Sequence, residues 1–109
     1  MKIPGSIRIG GVEYEVKHIP NLRNGNQASY GHISYDDSTI ELSATDGTSH
    51  QKQCLTLWHE IIHGLVEHAQ LDIEEQTEER IVDVIARGIY QVLQDNGARL
   101  FDLKEDKPV

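Results

Sequence analysis

Between Thr56 and Leu65 the chain reads Thr-Leu-Trp-His-Glu-Ile-Ile-His-Gly-Leu, a run of helical periodicity with two histidines four residues apart. On a helix that spacing stacks two side chains on one face, so His59 and His63 can turn two imidazole nitrogens toward one ion. Glu60 is rotated about 100° from His59, which keeps it off the ion but within reach of a water bound there. Cys54, Leu55, Trp58, Ile61, Ile62, Leu65, Val66 and Ala69 form one continuous apolar arc, and both histidines fall just past its edge. That is where a ligand belongs if its stem is held by the core while its nitrogen faces a cleft.

His-Glu-x-x-His on a helix is the pattern of a zinc-peptidase active site, in which the two histidines bind metal and the glutamate is the general base. Such a site needs a third protein ligand and leaves the fourth position to water. A third histidine six residues after His63 would suit the metzincins, but Ala69 stands there and Val66 replaces their glycine. His68 points to the far side of the helix and reads as solvated.

A length of 109 residues, 38% of them hydrophobic and 26% charged, is that of one ordinary domain with a modest core. The expected ordered core spans about 6–96, and 97–109 reads as a loosely held tail. Eighteen acidic against ten basic residues give a net charge of −8, which argues against nucleic acid or an anionic membrane as a partner. Cys54 is the one cysteine, so no disulfide framework exists and a reducing cytoplasm is the expected location. Its place on the apolar arc makes it a small buried hydrophobe. No apolar run approaches transmembrane length, and the N-terminus lacks the apolar stretch of a signal peptide.

Upstream of the motif the period changes to two. Ile7 and Ile9, then Val12, Tyr14 and Val16, alternate with polar residues around Gly10-Gly11, which predicts a hairpin. Residues 19–29, with Pro20, Gly25 and three Asn, read as a loop. Residues 30–35 and 39–43 predict a second hairpin turning at Asp36-Asp37-Ser38. A first helix from about Ser49 to Ala69, with caps available from Asp46 to Ser49, precedes a second from about Glu74 to Asp95, ended by Asn96-Gly97. The second helix has its own apolar arc: Ile81, Val82, Ile85, Ala86, Ile89, Val92 and Leu93. The expected class is α+β, with a three- to four-stranded antiparallel sheet followed by two packed helices.

The second helix opens with Glu74, Glu75, Glu78 and Glu79, whose plainest use is to offset the helix dipole. Glu79 stands out because it lies at the rim of its arc, as His59 and His63 do on theirs. Asp83 follows four residues later on the same face. Glu78 is the rival third ligand, but it falls within the arc, where a carboxylate is costly unless a cation meets it.

Glu79-Arg80-Ile81-Val82-Asp83 resembles the Glu-x-x-x-Asp of the glutamate-zincins, the class typified by thermolysin. The chain from Ile7 to Asn96 resembles the small ImmA/IrrE-type metallopeptidases found in phages and mobile elements. The resemblance is carried by Trp58-His59-Glu60-Ile61-Ile62-His63-Gly64-Leu65 and by the run from Glu78 to Leu93, although Arg80 stands where that family often has alanine. It implies a minimal zincin-like fold with Zn²⁺ held by His59, His63 and Glu79, and Asp83 orienting a ligand histidine. It also implies Glu60 as catalytic base and a cytoplasmic protein or peptide substrate, in some relatives a repressor of a mobile element.

The expected strand nearest the cleft, residues 39–43, would bind extended substrate by strand addition. Tyr90 shares the face of Glu79 and is either an oxyanion donor or an ordinary packing tyrosine. A zinc-bound regulatory or protein-binding module with little turnover is the alternative, and a DNA-associated SprT-like protease fits poorly with the net charge of −8.

Overall fold

The structure, a computed structural model, describes residues 1–45 and 47–101. Strands β1 (Ser6–Ile9) and β2 (Val12–Ile19) form the expected hairpin, with Gly10 and Gly11 at φ 58° and 83° in its turn. Positive φ at both central residues matches the right-handed twist of the strands they join. Within residues 19–29 the structure adds two short paired strands, β3 (Arg23–Asn24) and β4 (Gln27–Ala28), folded around Gly25-Asn26. The second hairpin is β5 (Gly31–Ser34) and β6 (Thr39–Ser43).

The order of the four-stranded sheet is β1-β2-β6-β5, and β2 runs parallel to β6 with Val16 opposite Ile40 and His18 opposite Leu42. The sheet is therefore mixed, not antiparallel as expected. The excursion through β3, β4 and β5 is long enough to return β6 beside β2 in the same direction, where Ile40 and Leu42 become fully buried. This placement also overturns the expected substrate strand, because β6 is paired on both sides. The edges belong to β1 and β5.

One sheet face carries Ile9, Tyr14, Val16, Ile33, Ile40 and Leu42 onto α1 (His50–His68), where Leu57 and Ile61 complete the main core. The Ser49 hydroxyl caps α1 by accepting from the Lys52 amide at 3.0 Å. Gly64 is buried, and its lack of a side chain lets the sheet close on the helix, since a Cβ there would stand 3.1 Å from the Ile9 side chain and 3.2 Å from that of Ile33. The sheet thus packs on the Leu57–Gly64 side of the helix. Leu65, expected on the apolar arc, is turned outward and is 52% exposed.

Helix α2 (Glu75–Leu100) packs on α1 on the side away from the sheet, through Val82 and Ala86 against Ile62, with Trp58 bridging the two clusters. It runs past the expected stop at Asn96-Gly97. The Asn96 side chain donates back to the Val92 carbonyl at 3.1 Å, and the Phe101 amide reaches the Gly97 carbonyl, so the helix closes one turn later. Of the predicted tail, residues 102–109 lie outside the described residues, as does Asp46 among the candidate caps. Among the described residues, no helix is long and apolar enough to cross a membrane.

Candidate metal centre

Midway along α1 the helical rise places His59 and His63 on the flank that faces α2, and the rings meet edge to face with centroids 4.8 Å apart. Their Nε2 atoms are 3.2 Å apart. Two nitrogens bound tetrahedrally at about 2.0–2.1 Å to one ion would stand about 3.3 Å apart, so the pair is spaced as two ligands of one ion. From the first turns of α2, Glu79 reaches both rings: Oε1 lies 2.6 Å from His63 Nε2 and Oε2 lies 3.5 Å from His59 Nε2. Ligating atoms of His59, His63 and Glu79 lie within 4.8 Å of one another, and the three can hold a metal ion. Two nitrogens and one carboxylate oxygen are a donor set suited to zinc.

The opposite nitrogen of each ring faces another carboxylate. The Nδ1–H of His63 donates to Glu78 Oε2 at 2.6 Å, and His59 Nδ1 is 4.0 Å from Asp83 Oδ1. A carboxylate at Nδ1 fixes the tautomer that leaves the Nε2 lone pair free for metal. Glu78, the rival third ligand in the sequence, thus lies instead on the far side of the His63 ring, in the kind of place expected of Asp83. The cation-like partner needed to bury it is the polarised N–H of His63 itself. Burial, aided by the neighbouring His63 ring, holds the His59 imidazole below its ordinary range against the opposing pull of Glu79 and Asp83. A neutral imidazole is the form that binds metal.

Glu60 is only 7% exposed, and burial pushes its carboxyl up to about 7, with His63 opposing the rise and Glu79 adding to it. A carboxyl tuned near neutrality is suited to taking and returning a proton. It lies beneath the start of β5. A Cβ on Gly31 would collide with the Thr56 γ-methyl and stand 3.4 Å from Glu60 Oε2, so glycine lets the edge strand approach the site. A cleft of about 350 Å³ opens beside His59 and Glu60, between the beginning of β5, the N-terminal half of α1 and the middle of α2.

Several residues given no role, or another role, in the sequence find places here. The Tyr35 hydroxyl donates to the His63 carbonyl at 3.2 Å, and burial, followed by Glu67 and Glu78, pushes that phenol up to about 12. His68 is not solvated: its Nε2 is 2.7 Å from the Tyr14 hydroxyl, tying the end of α1 to the buried side of β2. Tyr90 is buried against α1, and 11 residues beyond Glu79 it lies roughly 16 Å further along the helix, which makes it a packing residue. Buried Cys54 has its thiol 3.4 Å from His50 Nε2, and burial raises its pKa, so it is the inert small hydrophobe expected. The tyrosine and Glu78 contacts join residues 15 or more positions apart, and no spacing rule on one helix could have found them.

Compared with known proteins, the chain matches no family model, no curated protein and no solved structure.

Proposed function

We propose that the protein is a zinc-dependent endopeptidase acting on a protein or peptide substrate, in the manner of the ImmA/IrrE-type metallopeptidases its two helical motifs resemble. One observation carries the reading: the buried carboxyl of Glu60 opens on the same cleft as His59, beside a His-His-Glu group that can hold a metal. A site that only held metal for structural reasons would have no use for Glu60, and structural zinc is usually closed by four protein ligands.

In this reading His59, His63 and Glu79 hold Zn²⁺, with Glu78 and Asp83 fixing the imidazoles. The ion when bound supplies Lewis acidity, which brings the pKa of a water down to about 7. Glu60 takes the proton of the attacking water as its oxygen adds to the scissile carbonyl, then gives that proton to the leaving amine. The free edge of β5 at Gly31 offers backbone donors and acceptors to an extended substrate, in place of the strand at residues 39–43. A cytoplasmic regulator of a phage or mobile element is the substrate class that the resemblance suggests.

The open aspect of the site, with the Glu79 side chain 56% exposed, favours the second reading, a zinc-bound regulatory or protein-binding module with little turnover. One experiment separates them. Zinc content is measured in the wild type and in Glu60→Gln, and both are incubated with a cytoplasmic lysate whose new peptide termini are read by mass spectrometry. The peptidase reading expects equal zinc in both and cleavage by the wild type alone, with the variant down by about 10²–10⁴-fold. Cleavage at full rate by Glu60→Gln would remove Glu60 as the base, and zinc without any cleavage selects the module.

A further inference from the structure

The cleft beside Glu60 runs away from the metal ligands toward the N-terminal end of α1, and its chemistry changes along the way. Its floor is apolar, with Leu55 from α1 and Ala86 from α2. Its lining carries two carboxyl groups toward the metal ligands, Glu60 and Asp83, and two cations further off, Lys52 and Arg87, in a chain whose net charge is −8. Lys52 is held there: its ammonium sits 4.1 Å from the centre of the Tyr30 ring, and Tyr30, itself 61% exposed, forms the neighbouring wall. Arg87 is also held, by a 2.8 Å bond from one guanidinium nitrogen to Asp83. A guanidinium has five N–H donors, so the rest of its fork is open to a ligand.

Lys52 lies seven residues before His59, about 10 Å along the helix, and Arg87 one turn beyond Asp83. A group seated at the metal would therefore lay a side-chain stem over Leu55 and Ala86 and end between two fixed cations. We propose that this cleft is a specificity subsite that selects a carboxylate, so that the preferred substrates carry an acidic group next to the bond that is cut. The inference rests on the endopeptidase reading for the word substrate, but the recognition can be tested without turnover. The carboxylate belongs either to an Asp or Glu side chain, as an endopeptidase requires, or to a chain terminus, which would make the cleavage that of a carboxypeptidase, and the two sources are separable.

The test uses the zinc-loaded full chain and peptide hydroxamic acids, whose hydroxamate anchors on the metal while a neighbouring side chain enters the cleft. Four probes are compared by equilibrium binding: a glutamate-like side chain, its glutamine-like isostere, a lysine-like side chain, and an apolar side chain followed directly by a free terminal carboxylate. The wild type is expected to bind the glutamate-like probe about 10- to 100-fold more tightly than the isostere, the range of a charge-assisted hydrogen bond lost. Tight binding of the terminal-carboxylate probe instead would assign the subsite to chain ends. Lys52→Glu with Arg87→Glu, both at exposed positions, should reverse the order in favour of the lysine-like probe. Equal binding of the carboxylate and amide probes by the wild type, or an unchanged preference in the double variant, overturns the subsite. Discrimination among probes without any lysate cleavage leaves the subsite standing and removes the peptidase. Cleavage indifferent to acidic neighbours does the reverse.

Discussion

The two helices that build the candidate site are held in different ways. Helix α1 buries seven of its 19 residues, lying between the sheet on one side and α2 on the other. Helix α2 is longer, at 26 residues, yet buries only Val82, Ala86 and Tyr90. Its outer face leaves Ile81, Val84 and Ile85 exposed. The histidines and Glu60 thus stand on the firmly clamped element, whereas Glu79, Glu78 and Asp83 come from one attached along a narrow seam. A metal bound across the helices would add a link beside the Ile62–Val82 contact, since it stabilises only the arrangement that brings α2 against α1.

Removing one candidate ligand from either helix should have the largest effect. His63→Ala and Glu79→Ala should both abolish stoichiometric zinc, with losses of affinity beyond the roughly 10–100-fold that an outer carboxylate costs. Titration with a competing chelator measures this, and zinc should raise the thermal midpoint of the wild type but of neither variant. Retention of wild-type zinc affinity by Glu79→Ala would move the third ligand elsewhere. The packing contrast comes next. Leu57→Ala, in the core between α1 and the sheet, should lower unfolding free energy by about 2–5 kcal/mol in urea. Val82→Ala, in the seam, should cost about 1.5–3 kcal/mol and also weaken zinc binding, which Leu57→Ala should do only through global unfolding.

Glu60 gives the third prediction, read on metal-free protein. Its folded pKa of about 7 lies above the ordinary 4.5, so below pH 4.5 the carboxyl is neutral in both folded and unfolded chains and costs nothing. As pH rises from 4.5 through 7 the unfolded chain releases the proton first, and stability falls, by on the order of 3 kcal/mol in all. Glu60→Gln should remove that decline, and denaturation at a series of pH values shows whether it does.

A smaller effect separates the two outer carboxylates. Glu78→Gln should reduce zinc affinity by about 10–100-fold, and Asp83→Asn by less, because Glu78 bonds His63 at 2.6 Å whereas Asp83 is 4.0 Å from His59 and shares its charge with Arg87. The smallest belongs to the outer face of α2. Val84→Gln should change stability by no more than about 0.5 kcal/mol, since nothing in the described chain packs there, and a larger loss would mean the face is covered.

Local pattern carried a good part of this. Period-two alternation around Gly10-Gly11 and around residues 36–38 marked two hairpins, and the arc through Cys54, Trp58 and Ile61 marked a helix with His59 and His63 at its border, although that arc left out Leu57, which the sheet buries. Adjacent positions on a helix are fixed by 3.6 residues per turn, so His59, Glu60 and His63, and likewise Glu79 and Asp83, were legible as sets that share a face or straddle its edge. The α+β class followed from strands preceding helices.

Relations between elements depended on the packed fold. Alternation says which face of a strand is apolar but not which neighbour it takes, so the parallel pairing of β2 with β6, and the free edge of β5, were invisible until the sheet was assembled. The same is true of Glu78, which the arc could mark only as costly to bury until the Nδ1–H of His63 was found beside it. It holds too for Gly31, whose missing side chain matters only because Thr56 and Glu60 come up beneath it. Sequence by itself determined which side chains each element can present together. Tertiary structure decided which presented sets meet, because the approach of two surfaces depends on burial and close packing summed over the whole chain, and no local period encodes that sum.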